Sequence, residues 1–251
     1  MNNPKQPHAS LIRVCSVVGL IVIWQSVVSL VEPELLPSPL EVINSLWKHS
    51  ESGELPHHLG ITLGRIAISF SIAMVLGSVL GILMGRFRYL DLWLDSLTTL
   101  ALNIPALVTI ILCFIWFGLN EVAALTAVIV NKTPNIAVTL REGARAVDAQ
   151  LLAVGKAYRL SLTRQLTHVY LPQLYPYFLA AARSGLALVW KIVLVVELLG
   201  CSSGVGFQLS LFFQFFDITS VLAYTLAFAC IIFAVEAGIL RPWERRVLRW
   251  R

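Results

Sequence analysis

The chain of 251 residues is 57% hydrophobic and only 13% charged, with a formal net charge of +5. Soluble domains carry roughly 25% charged residues, so composition excludes an ordinary soluble domain and points to the membrane. The positive balance does not imply nucleic acid, because Lys and Arg in a membrane chain first mark the cytoplasmic loops. The scattered Cys15, Cys113, Cys201 and Cys230 offer neither a disulfide framework nor a CxxC metal knuckle.

A helix needs roughly 20 apolar residues to cross a bilayer, and six segments qualify: Leu11 to Val31, Ile61 to Met84, Leu92 to Gly118, Val122 to Leu140, Pro176 to Leu199 and Ser220 to Leu240. The first follows Lys5 and Arg13 like a signal peptide, yet no A-x-A-like site follows it, which predicts a retained span. After it, Ser38 and Pro39 are suited to cap and open a helix. Leu40, Ile43, Leu46 and Trp47 would share one face of that helix, lying on the external membrane surface. His57 and His58 follow in a predicted loop at a helix start, without further nearby His or Cys to make a metal site.

The third span holds Asn103 and Pro105, and proline predicts a bend that serves either packing or a pathway. The fourth carries Asn131 and Lys132 in its middle, and the fifth carries Lys191 and Glu197. Ionisable groups within spans are costly and commonly face a cavity or a partner. Lys191 either snorkels or pairs with an acid such as Glu197, or, with Lys132, lends a pathway positive potential. Arg65 and Arg183, near span ends, read as structural. Gly200 to Gly204 matches the G-x-S-x-G hydrolase elbow, but the motif needs a histidine base that no span contains. The tail after Leu240, rich in Arg with Trp243 and Trp250, reads as an interfacial anchor.

With the N-terminus inside, most of the 19 Lys and Arg fall in Met1 to Arg13, Gly85 to Asp91, Arg141 to Tyr175 and Arg241 to Arg251. The opposite loops hold Lys48 beside Glu32, Glu34, Glu41, Glu51 and Glu54. This asymmetry fixes the expected orientation. The loop 141–175 predicts two short helices with a turn near Tyr158 to Ser161; Leu162, Leu166 and Val169 recur at helical spacing in the second, and Pro172 ends it before Pro176 opens the next span. Such a basic, partly apolar pair suits a groove on a soluble partner or the anionic inner leaflet. No G-x-x-x-x-G-K-[ST] phosphate loop exists; Gly155-Lys156 lacks its surroundings.

This loop resembles the coupling loop of permease subunits in binding-protein-dependent ABC importers, with the pattern E-A-A, three residues, Gly, nine residues, I-x-L-P. Ala153, Val154 and Gly155 fall on E-A-A, Arg159 on the glycine, Val169 on the isoleucine, and Leu171 and Pro172 on Leu-Pro. An arginine enters the left-handed backbone favoured by glycine only at a cost. The resemblance runs from about Leu36 through "LPSPLEVINSL", "TLGRIAISFSIAMVLGSVLGILMGR", "LNIPALVTIILCFIWFGL" and "LPQLYPYFLAAARSGLALVWKIVLVVELLG", and is nearest to nitrate/sulfonate/taurine-type permeases.

The resemblance implies an all-α integral membrane protein of the type I importer permease fold, one domain over 1–251 with six transmembrane helices. It implies a second copy of the permease, two ABC ATPase subunits and a periplasmic or lipid-anchored substrate-binding protein. The setting is a bacterial inner membrane, with both termini cytoplasmic and lipid but no nucleic acid as surroundings. Docking to the ATPase would fall to Ala153, Val154, Gly155, Lys156, Arg159, Arg164, Leu166, Val169, Leu171 and Pro172. The candidate pathway residues are Asn103, Pro105, Asn131, Lys132, Lys191 and Glu197. No catalytic residue, metal or cofactor belongs to the chain, since ATP and Mg2+ sit on the partner. The expected solute is a small anion or zwitterion such as nitrate, a sulfonate or taurine. Competing readings are an ATP-independent carrier or channel and an intramembrane serine hydrolase around Ser202 or Ser203.

Overall fold

A computed structural model describes residues 9–31, 36–240 and 242. Among them there is no strand, and the helices follow in the order α1 (Ala9–Val31), α2 (Pro39–Glu51), α3 (Glu54–Arg86), α4 (Arg88–Asn103), α5 (Ala106–Phe117), α6 (Glu121–Arg145), α7 (Ala149–Ala157), α8 (Leu162–Gln165), α9 (Leu171–Gly200), α10 (Val205–Gln214) and α11 (Ile218–Val235). The helices Glu54–Arg86, Glu121–Arg145, Leu162–Gly200 and Ile218–Gly238 are each long and apolar enough to cross a bilayer. With α1 and the bent pair α4 and α5, they follow the expected order of six segments. The Arg- and Trp-rich tail expected as an anchor lies outside the described residues.

Two prolines act differently from expectation. The third segment, expected as one bent span, is broken into α4 and α5, whose axes meet at 99°. Pro105 has no N–H to donate and holds Ile104 extended (φ −73°, ψ 123°), so α4 cannot continue through it. Conversely, Pro172 does not end a helix. A π-helical turn at Leu166–Tyr170, in which the Leu171 N–H donates to the Leu166 carbonyl, joins α8 to α9. The wider turn passes the chain into a residue that cannot donate.

The centre of the bundle is the contact of α3 with α6. Gly77, Gly81 and Gly85, one turn apart on α3, let the backbones touch: a Cβ on Gly77 would lie 2.6 Å from Ile136 Cβ, one on Gly85 2.5 Å from Ala144 Cβ, and one on Gly81 would run into the Ala137 carbonyl. In lipid, where apolar burial drives little association, such close packing of small residues holds helices together. Two apolar clusters flank the contact. One includes Ile66, Val128, Val189 and Val196, the other Met74, Ile136, Leu140 and Ala182.

At α2 the Ser38 hydroxyl accepts from the Glu41 N–H (3.3 Å), and the Glu41 carboxylate accepts from the Ser38 N–H (2.7 Å). This reciprocal cap fixes the start of the helix. Leu40, Ile43 and Trp47 are exposed, whereas Val42 is buried and Leu46 packs on the core, so Leu46 leaves the expected surface face. Ser45 and His49 reach Ser220 at the start of α11 at 3.3 and 3.2 Å, holding α2 across the bundle end.

Candidate functional site

The chain between α6 and α9 forms the predicted helix pair. Asp148 caps α7 by accepting from the Gln150 N–H (2.7 Å), and its own N–H donates to the Gln173 side chain on α9 (2.9 Å). At the other end of α7 the Leu160 N–H donates to the Gly155 carbonyl (3.0 Å) and the Arg159 N–H to the Lys156 carbonyl (2.9 Å). These two bonds make a Schellman termination, which requires a left-handed residue after the cap. That residue is Arg159, with φ 50°.

The two helices are stapled by a side chain the sequence reading did not single out. Gln165 of α8 turns inward, and its amide donates to the Leu152 carbonyl of α7 (2.8 Å). Gly155 is buried beside it; a Cβ there would lie 3.5 Å from the Gln165 amide nitrogen. Outward, Leu151, Val154, Tyr158, Leu162 and Leu166 are exposed. Ala153, Lys156, Arg159, Arg164, Leu171 and Pro172 are exposed too, and Val169 is half-buried. The pair therefore presents apolar knobs rimmed by positive charge, a surface suited to a groove on another protein. Its base is braced by ion pairs between α4 and α6, Arg141 with Asp91 (3.4 Å) and Asp95 and Arg145 with Asp91, while Arg145 also pairs with Glu142 along α6 (3.1 Å).

At the opposite end of the bundle lies a buried charge cluster. Arg65 of α3 donates from Nε and Nη2 to Glu121 at the start of α6, from Nη1 to Glu197 of α9 and the Ser203 carbonyl (both 2.7 Å), and from Nη2 to Ser203 Oγ (2.9 Å). All five guanidinium N–H groups are thereby used. The other Glu197 oxygen accepts from Thr62 Oγ1 and the Gly206 N–H, both at 2.9 Å, and Thr62 accepts from the Val205 N–H (2.8 Å). The first amides of α10, which have no partner within their helix, are thus received by α3 and α9. Gly204, at φ 104°, carries the turn over the Glu197 carboxylate, where a Cβ would collide with it.

Residues 73–240 match the family described as binding-protein-dependent transport system inner membrane component. The chain belongs to this family of importer permeases. It is 31% identical over 234 residues to the putative aliphatic sulfonates transport permease protein SsuC of Bacillus subtilis, covering 92% of this chain and 84% of that one. It is 28% identical over 238 residues to the taurine transport system permease protein TauC of Escherichia coli, covering 92% and 86%. The nitrate import permease protein NrtB of Synechocystis is 27% identical over 197 residues, covering 75% and 71%. A solved amino acid ABC transporter chain shares the fold, with a TM-score of 0.62 at 21% identity over 80% of this chain and 97% of that one.

In this permease the candidate pathway residues are dispersed. Asn103 ends α4 exposed, its amide donating to the Thr99 carbonyl (2.7 Å), and Pro105 is exposed at the break. Asn131 is half-buried and Lys132 buried in the middle of α6, while Lys191 is exposed on α9. Of the readings open for Lys191, the pairing with Glu197 does not form: the Glu197 oxygens are engaged by α3 and α10 groups. The partner of Glu197 is Arg65; the sequence placed an arginine and an acid within spans, but only the packing of α3 on α9 brings them together. Arg183 pairs with Glu236 at 3.9 Å.

His57 and His58 lie within α3 rather than in a loop, and His58 does reach the Gly200 to Gly204 turn, where its Nδ1 accepts from the Gly204 N–H (3.0 Å). The Ser203 hydroxyl, however, is bonded to Arg65. No hydrogen bond joins it to an imidazole among the described residues, and the hydrolase reading lacks its base.

Proposed function

We infer that the chain is the membrane-spanning permease of an ATP-driven importer, in which two copies form the solute path, two ATPase subunits dock on the helix pairs, and a substrate-binding protein delivers solute on the other side. The α7 and α8 pair carries this reading. It is capped at both ends, closed by the Gln165 staple and continuous with the long α9, so a force on its exposed apolar knobs is delivered to a span rather than dissipated in a loop. Closure of the ATPase dimer would draw two such pairs together and tilt the spans, exchanging inward for outward access. ATP and Mg2+ belong to the partner.

The basic residues around the pair support a cytoplasmic position for it and an inner-membrane setting. The relatives' names support a small sulfonate, or a related anion or zwitterion, as solute. The test is uptake of radiolabelled ethanesulfonate by proteoliposomes holding the whole complex. Accumulation that needs both ATP and the binding protein is expected. Accumulation without ATP would make the chain a carrier, and ATP-driven uptake of neutral solutes alone would remove the anion class.

A further inference from the structure

The middle of α6 is the least lipid-like stretch of any span. α6 is the least apolar of the four long helices, and its centre reads Val130, Asn131, Lys132, Thr133, Pro134, Asn135. Lys132 is 4% exposed. Its neighbours one turn away, Val128 and Ile136, belong to the two separate apolar clusters, so position 132 falls between those clusters along the helix. Eleven residues of helix separate it from Glu121, about 16 Å at 1.5 Å per residue, further than its stem can carry the head toward the interface.

No hydrogen bond or ion pair reaches the Lys132 ammonium among the described residues. It is also absent from the fully enclosed unpartnered polar atoms, which are Ser78 Oγ, Arg141 Nε, Tyr170 Oη and Tyr224 Oη. The small accessible part of the residue therefore includes its charged head. Beside it on the helix, three and one positions away, Asn135 is exposed and Asn131 half-buried. Neither amide has a partner among the described residues. Pro134 adds a further polar group, since it leaves the Val130 carbonyl without the N–H four residues on. Unpartnered amides, a freed carbonyl and an ammonium at mid-depth are not tolerated against lipid; they line polar space or wait for a partner.

The geometry points to a mid-membrane anion site on α6, in which the Lys132 ammonium, flanked by the Asn131 and Asn135 amides, receives the anionic group of the passing solute in the path between two copies. This rests on the importer reading above and assigns selectivity to the permease itself, for oxyanions of the sulfonate kind.

The test uses the whole complex in membrane vesicles with the four native cysteines replaced, and Asn135→Cys introduced. Its rates of modification by the anionic sulfonatoethyl methanethiosulfonate and the cationic trimethylammonioethyl analogue are compared, with and without Lys132→Met. The anionic reagent, itself a sulfonate, is expected to be favoured, and the anion-to-cation rate ratio is expected to fall about tenfold on loss of the lysine charge. Asn131→Cys and Lys132→Gln repeat the measurement if the first pair assembles poorly. An unchanged ratio, or cysteines that neither reagent reaches in the nucleotide-free and ATP-bound complex, would overturn the site. Labelling needs no turnover, so a failure of ATP-driven uptake in the same vesicles would be read separately, against the importer assignment.

Discussion

Glu197 is the residue on which the bundle end depends most. It is fully buried and faces Arg65 while receiving an α10 amide, so Glu197→Ala removes the buried counter-charge of Arg65, leaves it only the exposed Glu121, and leaves the Gly206 N–H without an acceptor; it is expected to cost about 3–5 kcal/mol. Glu121→Gln touches the same arginine from a side chain that is 61% exposed and is expected to cost about 1 kcal/mol or less. Thermal unfolding of the purified chain should separate the two variants clearly; equal effects would mean that the cluster is not a buried one. Arg159 offers the opposite case, a residue in the wrong place for its type. Arg159→Gly relieves a left-handed arginine costing roughly 1–2 kcal/mol, partly offset by the greater freedom of glycine when unfolded. Hydrogen exchange across Gly155 to Gln165 should slow about fivefold for a net gain near 1 kcal/mol. The left-handed position was legible in the sequence from the signature spacing. The true partner of Glu197 was not, because only the folded helices bring residues 65 and 197 together while Lys191 lies nearby in sequence.

Among the elements, close packing of α3 on α6 sets the frame from which the helix pair hangs. Gly81→Leu would force a side chain into the Ala137 carbonyl, whereas Gly64→Leu on the same helix meets nothing within 4 Å. The first is expected to abolish recovery of folded chain and the second to leave it unchanged, as size-exclusion profiles would report; a tolerated Gly81→Leu would contradict the tight contact. The sequence reading does not single out the i, i+4, i+8 glycines; their spacing marks a helix contact, but only the fold shows that they meet α6. Gln165→Ala removes the bond between α7 and α8 and is expected to lower solute taken up per ATP hydrolysed more than it lowers ATPase binding. Helix positions were largely readable from apolar length and caps such as Ser38. The fates of Pro105 and Pro172 were not, since a proline forbids one hydrogen bond without dictating whether the chain breaks or widens its turn.

At the scale of the whole molecule, one chain divides into a braced bundle end, a glycine-packed centre and a stapled projecting pair. Composition made the membrane class legible, and loop charge made a handle on one side expected. Under the proposed function, the partner for this pair is written only in its exposed chemistry. The direct measurement is co-purification of the tagged chain with the products of its neighbouring genes. A phosphate-loop ATPase should accompany the wild type and be lost when Leu166→Asp and Val169→Asp are combined, with the amount of chain in the membrane unchanged. An ATPase retained by that variant, or a stable wild-type chain that brings none, would contradict coupling through the helix pair.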